Sequence, residues 1–397
     1  MRTHTASGAT RLVLAGLALV LAVALPLAAE EKQAPGVDQQ KVDGAIKRGA
    51  DWLLAKVKEG LPPINQQNDP HHEGSTYNEI VLYALLYAGI PNTDPDMIKL
   101  LNDIRLKPPV HTYTGAIRAQ ALEKFDPVKL YEDIRQCGQF LLDNQGKEGY
   151  WGYSKEVELP PLPKVVFTPN SKVSTGPGGG EIRSSSSRSN TTAMRRTVLN
   201  RRGWGEKNDN SNTQYAMLGL AACMTAGIYP PADCFQLVDK WMTECQNDDG
   251  GWGYEHRNTP MHGGEASYGS MTAGGVSTLS IILRFYKNSD PLKDVRVQKG
   301  LQWLGRNLTY DTNPAKGGWH YYWIYSIERA GSFAGTQWFG DRPWYYEGAT
   351  YLLEKQEGDG TWGGGNDGDK ILNTCWAILF LKQASKHYVY SLDTHKR

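Results

Sequence analysis

The residues of this 397-residue chain best suited to chemistry stand outside its apolar segments. His256 and His262, with Glu255 and Glu265, fall in one stretch between a Gly-Trp-Gly turn and the next apolar run. Imidazoles titrate near neutral pH, so such a pair could bind a metal or pass protons as acid and base. The ordered helical spacing of His-Glu-x-x-His is missing, however, and solvated loop histidines satisfy the same pattern. His71-His72-Glu73 takes the equivalent place in the first repeat. No metal-ligand set emerges from spacing, and no cofactor is expected.

The second cluster is aromatic: Tyr321, Tyr322, Trp323 and Tyr325, then Trp338, Trp344, Tyr345 and Tyr346. Ring faces attract cations and stack on planar or sugar ligands, which makes Tyr321, Tyr322, Trp323 and Trp344 candidate ligand contacts. Filling space between helix layers is the competing role for the same rings.

What positions these clusters is a repeat. Gly348, Tyr351, Leu352, Gln356, Gly360 and Trp362 set a spacing that returns as Trp241, Met242, Gln246, Gly250 and Trp252, and as Phe140, Leu141, Gln145, Gly149 and Trp151. Two weaker copies begin at Gly300 and Gly49, with Leu308 and Val57 where Gln is expected. A differently patterned segment follows each copy. In the first kind, Leu237, Val238, Trp241, Met242 and Cys245 form one apolar stripe, so one face stays wet. The second kind, such as Ile80 to Ala88 or Cys375 to Leu381, is apolar nearly all round and must be covered on both sides. An unmotifed hairpin, Met97 to Phe125, fills one wide gap between copies. Alternation of half-wet and wholly buried helices predicts an all-α double layer of about six helical hairpins, over residues 37–386. Closing the inner layer into a ring covers it better than a straight solenoid does.

Residues 154–202 interrupt this frame and read as loop throughout, with Pro160-Pro161-Leu162-Pro163 and Gly176 to Gly180. They split one Trp turn into Gly149-Tyr150-Trp151-Gly152 and Gly203-Trp204-Gly205, so the insertion leaves and rejoins the toroid at a turn. The composition is that of a solvated disordered loop, with a lid or a docking segment as the alternative. Residues 387–397 are read as a tail. Residues 1–29 carry Arg2 and Arg11, an apolar run from Leu12 to Leu27, and Ala28 and Ala29 before Glu30, the three parts of a secretory signal. Export to the periplasm or outside the cell is expected, with no membrane span remaining after the signal is removed. A formal charge of +1 gives no field to attract nucleic acid. Five scattered cysteines suit buried thiols better than a disulfide framework.

The Gly-x2-aromatic-Leu-x3-Gln…Gly-x-Trp pattern resembles the repeat of squalene cyclases, shared more loosely with protein prenyltransferase β subunits and complement-like thioester domains. The resemblance covers nearly all of the mature chain and implies an α/α toroid in which Gln and Trp tie the outer helix to the following turn. The run His320 to Gly331, with Asp341-Arg342-Pro343-Trp344-Tyr345, is similar to exported bacterial repeat proteins of this group that have no assigned chemistry. The catalytic signatures do not accompany the frame. The cyclase Asp-x-Asp-Asp acid is missing: Asp248-Asp249 lies in a repeat turn, Asp94-Pro95-Asp96 in a loop, and Asp367-Gly368-Asp369 reads as a helix-start acid. The prenyltransferase Asp-x-Cys zinc pattern and the thioester Cys-Gly-Glu-Gln are missing too. The expected function is therefore an exported scaffold that takes a small-molecule or protein ligand in the toroid cavity. The alternatives are a divergent terpenoid cyclase or, by fold analogy, a carbohydrate-active toroid using paired carboxylates such as Asp209 and Glu265.

Overall fold

The computed structural model describes residues 33–62, 77–154, 157–168, 196–205, 209–255, 266–363 and 369–389. Residues 1–33 form one unit, of which only Gln33 is described, and the chain from Ala34 onward forms a second. The described residues of this second unit hold twelve α-helices in six successive pairs. These are α1 (Gln39–Glu59) with α2 (Asn78–Ala88), α3 (Pro95–Arg105) with α4 (Thr112–Phe125), and α5 (Tyr131–Asp143) with α6 (Asn210–Thr225). The other three are α7 (Ala232–Cys245) with α8 (Gly269–Ile281), α9 (Val295–Asn307) with α10 (His320–Ala334), and α11 (Trp344–Lys355) with α12 (Lys370–Leu381). No helix among them is long and apolar enough to cross a membrane.

The even-numbered helices pack on one another in order from α2 to α12, and α12 packs back on α2. The result is a closed inner ring inside an outer layer of odd-numbered helices: an α/α toroid. Burial follows the patterning. Every residue of α6, α8 and α10 is buried. By contrast α7 buries a single stripe, Cys234, Phe235, Val238, Trp241, Met242 and Cys245. Small residues let inner helices approach: a Cβ on Gly219 would meet the Ala116 backbone at 2.7 Å. Aspartates begin several helices. Asp38, Asp94, Asp209 and Asp369 each accept hydrogen bonds from first-turn amides, so Asp94 and Asp369 are helix-start acids.

The repeat residues act as staples. The indoles of Trp151, Trp252 and Trp362, all fully buried, donate to the carbonyls of Leu141, Met242 and Leu352 at 2.7, 2.9 and 2.8 Å. The amides of Gln145, Gln246 and Gln356 each donate twice: to the turn glycine carbonyl of Gly149, Gly250 or Gly360, and to a carbonyl of the next outer helix. That second acceptor is Cys234 in α7, Arg296 in α9 and, for Gln356, Ala45 in α1. One device thus joins consecutive repeats and also the last to the first. The turn glycines have φ of +101°, +93° and +89°, and a Cβ on any of them would strike the backbone of that next helix. Where Leu308 replaces Gln, the staple is lost: Trp319 is 53% exposed, and Trp323 instead donates its indole N–H to Thr309 O.

The structure adds to the sequence reading at two boundaries. Both described ends of the insertion pack on the toroid: residues 157–168 have no regular secondary structure, as the loop reading expects, whereas the other end includes a short strand. Pro160 O and Pro163 O accept from Gln136 and Arg105, and Phe167 packs edge-on to Phe125 at 5.0 Å. Thr197–Val198 (β1) pairs in parallel with Ile228–Tyr229 (β2). Arg202 meets Asp143, and Gly205 bridges to Gly146, which rejoins the split Trp turn. These segments cover the outer face of α5, which explains why an outer helix is buried on most sides. Residues 169–195 lie outside the described residues. The start of the tail packs as well: Tyr388 is fully buried, stacked on Phe333 at 6.0 Å, while residues 390–397 lie outside the described residues. All five cysteines are buried.

Candidate functional site

The starts of the inner helices α4, α6 and α10 meet at one mouth of the ring. There Tyr113 from the start of α4, Ser211 from α6 and Tyr322 from α10 join hydroxyl to hydroxyl, Tyr113 to Ser211 at 2.6 Å and Ser211 to Tyr322 at 2.7 Å. Gln214 donates to the Tyr322 hydroxyl at 2.5 Å, and Tyr153 meets Tyr254 at 3.2 Å. The Tyr215 ring lies 4.5 Å from that of Tyr113 and stacks on that of Tyr322 at 6.0 Å. Tyr113, Tyr153 and Tyr254 remain half-buried. The mouth is therefore a bowl of phenols with partly open faces, all strongly amphipathic.

Below this bowl, Arg329 of α10 is fully buried, its Cζ 4.8, 5.4 and 4.5 Å from the ring centroids of Tyr215, Tyr322 and Tyr325. Nη2 donates to Ser326 Oγ at 2.6 Å; Nε and Nη1 find no acceptor at ordinary hydrogen-bond geometry among the described residues, although the Tyr215 hydroxyl lies close enough to interact with the guanidinium. The same holds for other buried polar atoms of the inner helices: Gln214 Oε1, Thr278 Oγ1, both amide atoms of Asn373, and Trp376 Nε1. Tyr322 links these groups, bonded to Gln214, over Arg329 and 5.8 Å edge-on from Trp376. Such a concentration of open polar groups is unusual, since buried polar atoms are ordinarily paired.

The opposite mouth is closed by the C-terminal segment. Ser385 donates to Glu328 through its N–H at 3.0 Å and its hydroxyl at 2.8 Å, and Ser332 adds a third bond at 2.7 Å. Tyr388 meets Tyr83 at 3.3 Å, and His387 meets Glu123 at 3.1 Å. Glu328 adjoins Arg329 in sequence, but its oxygens are taken by these serines and it forms no ion pair with that guanidinium.

Burial dominates the electrostatics. It pushes the Glu328 carboxyl up to about 7, opposed by the bonds from Ser332 and Ser385. It pushes Asp209 up to about 7 as well, opposed by the bonds from Asn212. Tyr113, Tyr322 and Tyr325 are raised by the same desolvation and stay protonated donors. For Arg329 burial works against the charge, yet the surrounding Tyr215, Tyr322 and Tyr325 outweigh it and hold the guanidinium ionised.

The residues singled out by sequence are dispersed. Tyr322 is central to the bowl. Asp209 borders it as the α6 N-cap, accepting from Asn212 N at 2.6 Å and Asn212 Nδ2 at 2.7 Å. Tyr321 is buried, with its hydroxyl 3.3 Å from Gly363 O. Trp323 and Trp344, candidate ligand contacts, instead fill space between layers, with their indoles on Thr309 O and Thr336 O at 2.8 Å each. His256, His262 and Glu265 lie outside the described residues, and so does any pairing of Glu265 with Asp209; His71-His72-Glu73 lies outside them as well. Sequence reasoning missed Tyr113, Ser211, Gln214, Arg329, Asn373 and Trp376. Their signal was available, as polar groups inside helices that are otherwise buried all round.

A cavity of about 240 Å³ lies apart from this column, between α2, α3 and α4, and is lined by Glu79, Asp103, Lys107, Thr114 and Arg118 among others. Two of its charges are matched: Arg118 pairs with Glu79 at 2.7 Å, and it also donates to the backbone Lys107 O at 2.7 Å. The axial column, with its unmatched groups, is the stronger site.

No protein-family profile matches the chain, and no curated protein does either. Among solved structures, the chain is similar to variants of the type II terpene cyclase MstE from Scytonema. One substrate complex, with geranylgeranyl dihydroxybenzoate, aligns at 11% identity over 87% of this chain and 98% of the cyclase, with a TM-score of 0.50. A second substrate complex and a complex with the product merosterolic acid A align at 11% and 12% identity over 88% of this chain and 98% and 99% of theirs, each with a TM-score of 0.48. The fold is terpenoid-cyclase-like. That likeness supports the toroid inferred from the repeats and carries no chemistry at this identity.

Proposed function

We propose that the protein is an exported toroid that binds a ligand at the phenol bowl of its inner ring and does not cyclise terpenoids. The observation that carries this reading is the buried Arg329 against Tyr215, Tyr322 and Tyr325. A cyclase needs aromatic faces free to stabilise a migrating carbocation. Here a fixed cation already occupies three of them, and a second positive charge about 5 Å away would be repelled by several kcal/mol even at an effective dielectric constant of about 20. The absence of an Asp-x-Asp-Asp sequence supports the same conclusion. A wet mouth rich in hydroxyl groups suits a polar or planar ligand better than a hydrocarbon chain.

The divergent-cyclase reading draws on one specific observation: Asp209, buried beside the bowl with its carboxyl raised to about 7, would be a proton source. Against it, both oxygens already serve as acceptors in capping α6. Mass spectrometry of small molecules that copurify with the mature protein tests the proposal. A bound molecule lost on combined Tyr113→Ala and Tyr254→Ala substitution is expected; Asp209-dependent cyclisation of squalene or a prenyl diphosphate would overturn it. Export is tested separately by N-terminal sequencing, with a mature start near Glu30 expected.

A further inference from the structure

The cavity between α2, α3 and α4 lies apart from the bowl, although neighbouring residues of α4 serve the two: the Tyr113 hydroxyl meets Ser211 in the bowl, and Thr114 lines the cavity. Its volume is about 240 Å³. At about 30 Å³ per water in the liquid, that is room for about eight waters or one organic molecule of similar size. The wall is heavily charged for so small a space. Glu79 and Arg118 supply one pair of opposite charges, with side chains 4% and 8% exposed, and Asp103 and Lys107 supply another. Asn78 and Thr114 add an amide and a hydroxyl, while Ile104, Leu106 and Pro108 give an apolar side.

The two pairs differ in how they are held. Arg118 Nε and Nη2 donate to Glu79 Oε1 at 3.3 and 2.7 Å, and Nη1 donates to Lys107 O at 2.7 Å. These bonds engage three of the five guanidinium N–H groups and leave a second N–H on each Nη. The side chains of Asp103 and Lys107, by contrast, make no hydrogen bond or ion pair with another described residue or with each other. An acid four residues before a base is the favourable order for an ion pair across one helical turn. Here that pair is not formed, and both groups line the cavity instead.

The lining charges cancel, Glu79 and Asp103 against Lys107 and Arg118. An ion of either sign would therefore be repelled by two groups while attracted by the other two. A neutral polyol would displace water from all of these charges and supply no counter-charge in return. A molecule that carries both signs a few ångströms apart gains at both ends. We propose that this cavity binds a small zwitterion of the free amino acid or betaine class. Its ammonium end faces Asp103, its carboxylate faces Lys107 and the unused N–H groups of Arg118, and its short aliphatic part lies toward Ile104 and Pro108. The site is independent of the bowl, with other residues and another class of ligand.

The test is calorimetric titration of the full mature protein with L-alanine, L-valine and trimethylglycine, at neutral pH and constant ionic strength. Acetate, methylammonium and glycerol serve as controls that carry one charge or none. Saturable binding of at least one zwitterion is expected, about tenfold or more tighter than any control. Asp103→Asn and Lys107→Gln each remove a charge that no described residue pairs, so both variants should fold as the wild type does and bind about fivefold more weakly. The combined Tyr113→Ala and Tyr254→Ala variant should bind the zwitterion normally. No saturable binding of any zwitterion, a control that binds equally well, or undiminished binding by both charge variants overturns the proposal. Loss of binding in the tyrosine variant alone would place the ligand at the bowl, and the bowl reading would then stand while this inference fell.

Discussion

Replacing Gln356 by Met measures whether the ring is closed. The side-chain volume is nearly kept, so the loss is polar. Gln356 Nε2 donates to Gly360 O in its own turn at 2.9 Å and to Ala45 O in the first outer helix at 2.8 Å, while Arg48 donates to its Oε1. Each neutral hydrogen bond contributes about 1 kcal/mol, so losing both amide bonds costs about 2 kcal/mol, and the exposed Arg48 contact adds little. Gln246→Met is the control, because it breaks the matching pair, Gly250 O and Arg296 O, between neighbours in sequence. Urea unfolding read by circular dichroism gives both values at an unchanged m-value. A closed toroid predicts equal costs. If Gln356→Met lost only about 1 kcal/mol while Gln246→Met lost about 2, the last repeat would not reach the first, and the ring would be open.

Other outcomes rest on the same contacts. Asp209 and Glu328 titrate near 7 when folded, above their unfolded values, so the stability they contribute is complete below about pH 4 and is lost as pH rises through 7. At about 1.4 kcal/mol per unit, each accounts for about 3–4 kcal/mol, and Asp209→Asn, which still caps α6, should flatten its share of the melting profile between pH 4 and 8. Gly360→Ala should cost about 1–3 kcal/mol in equilibrium unfolding, because φ is +89° and the new Cβ would stand 2.8 Å from Arg48 O. Tyr388→Ala should cost about 3–5 kcal/mol and expose the Glu328 end of the ring to hydrogen exchange; unchanged protection there would mean the tail does not seal it.

Most of the fold was legible because the toroid is specified by local periodicity. The alternation of striped and wholly apolar segments indicated two layers, and Gln145, Gln246 and Gln356 with their tryptophans marked the turns. Ring closure was anticipated from the need to cover the inner layer, but the link from Gln356 to Ala45 spans nearly the whole chain and no local pattern encodes it. Pro160 and Pro163 are loop residues, as they read in sequence, but their packing depends on carbonyls that satisfy Gln136 and Arg105 of other helices, which no local pattern encodes. The site was less legible still. Density of aromatic residues drew attention to Trp323 and Trp344, which pack between layers, whereas the informative residue in that helix is Arg329. Its meaning depends on Tyr215 arriving from another helix beside Tyr322 and Tyr325, and that convergence exists only in three dimensions.

The most direct test of the central claim, that the phenol bowl of the inner ring binds a ligand, is crystallographic density at that mouth of the mature protein. The claim predicts a molecule seated among Tyr113, Tyr153 and Tyr254. Density showing the mouth filled by side chains alone would contradict it.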